Sequence, residues 1–105
     1  MRRPEIVDRI RTAVKNMTEP KVTAILYGSE ARGDARKDSD IDVLLLVDVE
    51  KVNYALHDKI ISPLFDIELD TGVIISTLVL PRKDWENRPF ATPFQDNVKR
   101  EGILL

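Results

Sequence analysis

The run Val43-Leu44-Leu45-Leu46-Val47 has few structural homes, because five apolar residues without polar alternation suit a strand buried on both faces. The chain enters that strand through Ser39-Asp40-Ile41-Asp42, and two aspartates at the mouth of a buried strand are hard to explain as packing. Side chains at i and i+2 of a strand point to the same side. Asp40 and Asp42 are therefore expected to aim together, while Ile41 points into the protein. Two like charges that close raise each other's pKa unless a cation sits between them. A hard divalent ion with oxygen ligands resolves the repulsion, and Mg²⁺, which keeps waters and takes phosphate oxygens, is the common case. The plainer reading is a glycine turn and two solvated aspartates. It leaves unexplained why a buried strand is entered through paired negative charge.

Upstream, Val22 to Tyr27 is rich in β-formers and reads as a first strand leading into Gly28-Ser29. Glycine lets a backbone approach a ligand closely, and free N–H groups at a helix start favour phosphate. A phosphate cradle and a carboxylate pair thus lie eleven residues apart, Ser29 to Asp40, in one strand–loop–strand unit. Before it, Ile6, Val7, Ile10, Ala13, Val14 and Met17 repeat at helical spacing, with Pro4 suited to the first turn. Ala31 to Ala35 reads as a short helical turn and Arg36 to Ser39 as a loop.

After the buried strand, Asp48 is expected to cap a long helix whose apolar face carries Val52, Ala55, Leu56, Ile60, Leu64 and Ile67. Pro63 removes a donor and clashes with the preceding turn, so a break or kink is expected there, with Ser62 capping the second piece. Gly72 suits the helix exit. Val73 to Leu80 reads as a third strand, Asp84-Trp85-Glu86 as one helical turn, and Thr92-Pro93 as the start of a terminal helix ending at Gly102. Trp85 and Phe94 are expected in the core. Phe90 and the terminal Ile103-Leu104-Leu105 add apolar surface that either closes the core or stays exposed for a contact. The order of elements implies an α/β (α+β) sandwich, a small mixed sheet of three or more strands with helices packed on one side. Residues 1–105 form a single domain with room for one core.

A formal charge of −2 gives no basic footprint for nucleic acid, so a polymerase-like role is disfavoured. With no cysteine in the chain, a thiolate nucleophile and a zinc–thiolate site are excluded. No signal-peptide pattern and no apolar run of membrane-spanning length occurs, and a cytoplasmic location is expected. His57, the sole histidine, falls beside Asp58 within the long helix and is expected at the surface.

Gly28-Ser29, Arg32-Gly33 and Ser39-Asp40-Ile41-Asp42, taken together at this spacing, resemble the signature of the polymerase-β-like nucleotidyltransferase superfamily. The likeness is nearest to its minimal nucleotidyltransferases, small proteins often paired with a HEPN-domain partner. It runs from the first helix to the Asn97–Gly102 segment. The resemblance implies a nucleotidyltransferase fold and transfer of a nucleotide, AMP from ATP, to a hydroxyl with Mg²⁺ or Mn²⁺. Asp40 and Asp42 would be the catalytic metal ligands, and Gly28, Ser29 and Arg32 would bind the triphosphate. Arg36 and Lys37 could neutralise departing pyrophosphate but read better as a solvated loop, and Asp34 and Asp38 as turn residues.

One departure bears on turnover. The family carries a third carboxylate on the strand after the long helix, and Val73 to Val79 contains no acid, with Ser76 or Thr77 standing in its place. Asp66, Glu68 and Asp70 precede the strand; Asp70 alone is near enough to substitute by a shift, and it reads better as a surface helix-end residue. Three functions follow. The first is an antitoxin-like enzyme that modifies a helical HEPN-domain protein partner. The second is a module that keeps nucleotide or partner binding without turnover. The third is a small-molecule nucleotidyltransferase whose acceptor pocket is assembled across a homo-oligomer.

Overall fold

The computed structural model of the chain describes residues 1–89 and 92–105 and is built on one four-stranded mixed sheet. β1 (Val22–Tyr27) and β2 (Ile41–Val47) pair antiparallel at its centre, and β3 (Ile75–Pro81) runs parallel to β2 at one edge. β4 (Ile103–Leu104) adds antiparallel to β1 at the other edge, so part of the terminal apolar stretch becomes a strand. Ile41 and Val43 to Val47 are all buried, as an unalternating apolar run requires. Removing each such side chain from water stabilises the fold by about 1.5–3 kcal/mol.

Cover comes from both faces, which corrects the expected one-sided packing. α1 (Pro4–Lys15) and α3 (Tyr54–Thr71) lie over Ile41, Val43, Leu45 and Val47 through Val7, Ile10, Ile60 and Leu64. The alternate residues Leu44 and Leu46 meet Trp85 of α4 (Arg82–Glu86) and Val98 of α5 (Pro93–Glu101) on the opposite face. Two short helices are enough to close that side, because β2 offers it only two large residues beyond Asp42.

Several local expectations shift. α3 is capped by Asn53, whose side chain accepts from Leu56 N at 2.8 Å, while Asp48 instead takes a hydrogen bond from Arg82 Nε. The helix runs unbroken through Pro63, and Ser62 caps nothing. Pro63 forfeits only the bond to the Lys59 carbonyl, and the buried Ile60, Leu64 and Ile67 on either side hold both halves to one sheet. His57 lies in the first turn of α3 and is half-buried. β3 begins two residues later than expected. Trp85 is buried, whereas Phe94 stays 36% exposed, its ring edge-on to Tyr27 and Trp85 at 5.4 and 6.1 Å. Phe90 lies outside the described residues.

Candidate active site

The sheet brings the two halves of the motif together. Tyr27 at the end of β1 pairs with Asp42, so the turn that follows β1 starts beside that carboxylate. α2 (Gly28–Arg32) begins at the Gly-Ser pair itself, three residues earlier than the sequence suggests. Gly28 has φ +73°, and a Cβ there would overlap Asp42 Oδ2 and stand 3.3 Å from Asp42 Cγ. Only glycine both adopts this left-handed backbone and leaves room for the acid. Ser29, half-buried, follows directly, and its carbonyl accepts from Gly33 N and Asp34 N at 3.0 and 3.1 Å. With one short turn of helix behind it, this turn offers an anion its first N–H groups and the Ser29 hydroxyl rather than a macrodipole.

Asp40 is exposed just before β2, Asp42 is half-buried within it, and Ile41 between them is fully buried on the α1–α3 side. Burial pushes the Asp42 carboxyl above the ordinary range, the Asp40 charge adds to the rise, and Arg32 opposes it. Tyr27 is likewise raised by burial and by Asp42. An acid that its neighbours make reluctant to ionise, held against a residue that must be glycine, fits a hard divalent cation shared with Asp40. The oxygen-only donor set fits the same ion. Such a cation would supply charge neutralisation at phosphate oxygens when bound.

Arg32 is exposed and hydrogen-bonds Asp34 at 3.3 Å through Nε and Glu101 at 3.1 Å through Nη1, which hold its guanidinium above the usual range. Those exposed pairs are weak enough for a triphosphate to replace. They also give the terminal Asn97–Gly102 segment a local reason: Glu101 reaches the motif arginine. Gly102 packs where a Cβ would stand 2.8 Å from Ile25 Cγ2. Arg36 and Lys37 are exposed in the loop.

On β3, Ser76 is the register partner of Asp42 and Thr77 that of Val43. In a parallel ladder such partners share a face, so Ser76 occupies the place beside Asp42 and Thr77 turns to the other side. Asp70 pairs with Arg9 at 2.9 Å, and Glu68 accepts from Ile75 N at 2.8 Å at the entry to β3. Among the described residues, no cluster of three carboxylate or histidine side chains could hold a metal ion. The larger hollows, about 400 and 670 Å³, lie around Met17 and Thr18, away from this edge. One of about 170 Å³ opens beside Asp40, between Lys37 and Ile74. That is too small to enclose a nucleotide, so the site is open at the ends of the two central strands.

Sequence reasoning missed one ion pair. Glu30, inside the motif, is fully buried and bonded to Arg3, and an acid on a five-residue surface helix carried no pattern that marked it.

A carboxylate-bearing central strand beside a Gly-Ser turn, in a small mixed sheet, defines a compact α/β fold with its acids at the strand ends. A sequence profile of the Nucleotidyltransferase domain matches residues 7–101, and the chain belongs to that family. Two proteins of Methanocaldococcus jannaschii are similar to it. "Putative protein adenylyltransferase MJ0604" is 36% identical over 81 residues, covering 77% of this chain and 74% of the relative. "Putative protein adenylyltransferase MJ0141" is 30% identical over 100 residues, covering 94% of each. Among the described residues, no helix is long and apolar enough to cross a membrane.

Proposed function

We propose that the chain transfers AMP from ATP to a hydroxyl of a protein partner, with Asp40 and Asp42 holding Mg²⁺ or Mn²⁺. The observation that supports this reading is the close approach of Gly28 to the Asp42 carboxylate, where a Cβ would overlap Oδ2. The printed names of the two relatives support adenylyl as the group and protein as the acceptor. Gly28 and Ser29 hold the triphosphate, and Arg32 turns from Glu101 toward it. The acceptor oxygen bonds to the α-phosphorus, the bond to the β-phosphate oxygen breaks, and pyrophosphate leaves as the hydroxyl proton passes to water. The hollow beside Asp40 is too small for an acceptor, and the hydroxyl is proposed to arrive on another chain. A helical HEPN-domain protein is the partner proposed, in an antitoxin-like pairing.

Co-expression with the partner and intact-mass measurement of it tests the proposal. A gain of one AMP, lost when Asp40 and Asp42 are both changed to Asn, is expected. A stable complex with an unmodified partner would instead favour a second reading, a nucleotide- or partner-binding module without turnover. That reading draws on Ser76, which stands beside Asp42 where the family carries an acid.

A further inference from the structure

Arg3 and Glu30 form a buried ion pair that the chemistry above does not use. Arg3 is 7% exposed and Glu30 fully buried. Glu30 Oε2 accepts from the Arg3 backbone N at 2.7 Å, and Oε1 accepts from Arg3 Nε at 2.8 Å. Arg3 Nη2 lies 2.8 Å from the same Oε1 but makes no aligned hydrogen bond, so the fork is held by charge as much as by donors. The remaining nitrogen, Nη1, donates to the Ser39 carbonyl at 2.7 Å. Pairs of this kind are poor devices for stability alone, because well-packed apolar residues of similar volume often do as well. What an apolar pair could not do is hold the Ser39 carbonyl.

That carbonyl belongs to the peptide joining Ser39 to Asp40. On the other side of Asp40, Ile41 N donates to Ile74 O at 2.9 Å and fixes the next peptide. Asp40 is exposed and outside β2, so these two backbone anchors are what set its direction. Glu30 follows Ser29 on α2, and α2 starts at the glycine pressed against Asp42. We propose that the Arg3–Glu30 pair is a positioning clamp. Glu30 orients the Arg3 guanidinium, Arg3 holds the Ser39–Asp40 peptide, and the metal-side acid is thereby kept in register with the phosphate turn. The inference rests on the functional reading above for its purpose, but the clamp itself is a mechanical statement about Asp40.

The test uses the full chain with both partners replaced, Arg3→Met with Glu30→Met, and Arg3→Lys beside it. Removing both charges leaves no unpaired ion, so the double variant should melt closer to wild type than Glu30→Met alone. Its Asp40 amide should nonetheless loosen, the ¹⁵N order parameter falling from about 0.85, typical of rigid backbone, toward about 0.6. Mn²⁺ affinity, measured with a non-hydrolysable ATP analogue, should weaken by about 10–100-fold, the usual effect of losing a support behind a metal ligand. Arg3→Lys keeps the charge but not the fork and should show the same loosening, which covers the case of a double variant that fails to fold. An unchanged Asp40 order parameter in whichever variants fold would overturn the clamp, as would Mn²⁺ affinity that recovers together with melting temperature. If wild type binds no Mn²⁺, the functional reading fails, and the order parameter still decides the clamp.

Discussion

Gly28→Ala separates backbone strain from displacement of the Asp42 carboxylate, because the fold contains its own control. Gly72, the C-cap of α3, has φ +72°, within a degree of Gly28, and a Cβ built on it meets nothing within 4 Å. An alanine in the left-handed region costs about 1–2 kcal/mol. For a domain of this size each kcal/mol lowers the melting temperature by about 4–8 °C. Gly72→Ala should therefore melt about 4–16 °C lower and bind Mn²⁺ as wild type does. Gly28→Ala should lose at least that much stability, and its methyl group must also drive Asp42 away from Oδ2's present place. Loss of one of two carboxylates should weaken Mn²⁺ binding by at least about tenfold, the lower bound for losing even an indirect support. Calorimetric Mn²⁺ titration with a non-hydrolysable ATP analogue, beside thermal melts, reads both effects. In an Asp42→Asn background the metal penalty of Gly28→Ala should vanish, because the two changes act through one contact. Equal metal affinity in Gly28→Ala and wild type, or an equal loss in Gly72→Ala, would refute the reasoning.

Arg32→Gln should weaken ATP binding about tenfold, the lower range for a charge-assisted hydrogen bond. Its melting temperature should barely move, since the exposed pairs to Asp34 and Glu101 are screened by solvent and contribute little. Ser76→Asp should tighten Mn²⁺ binding and raise AMP transfer to the partner while destabilising the metal-free protein, because it sets a third negative charge beside Asp42. Equal metal affinity in Ser76→Asp and wild type would remove Ser76 from the site. Glu30 supplies a pH dependence. Burial alone would raise its pKa, but hydrogen bonds from the Arg3 backbone and side chain, with the Arg3 charge, bring it below 4.5. A lowered acid contributes stability above its unfolded value and loses it as the pH falls through the folded one. Glu30→Gln should therefore melt lower than wild type at neutral pH, with the gap closing as the pH drops below 4.5.

What the sequence disclosed follows from how local each cause is. Val22–Tyr27 was legible to the residue, since β-formers end at a Gly-Ser pair, and β2 declared its double burial by having no polar residue from Val43 to Val47. The same run already required cover on both faces. The helices that cover the second face are five and nine residues long, too short for their periodicity to reveal which face of the sheet they meet. Pro63 was misjudged because propensity speaks of an isolated helix, whereas three buried residues hold α3 against the sheet. The candidate site divides in the same way. Gly28, Ser29, Asp40 and Asp42 stand in one short stretch, and their chemistry can be read from spacing. Arg3 with Glu30 and Arg32 with Glu101 are 27 and 69 residues apart, and only the closed sheet brings them together. Those long-range pairs attach the two ends of the chain to the motif: the N-terminus to the loop before Asp40, and α5 to the arginine of the turn. In the proposed reading the motif supplies the groups that meet phosphate and metal, and Arg3 and Glu101, both outside it, brace the strand entrance and the turn arginine.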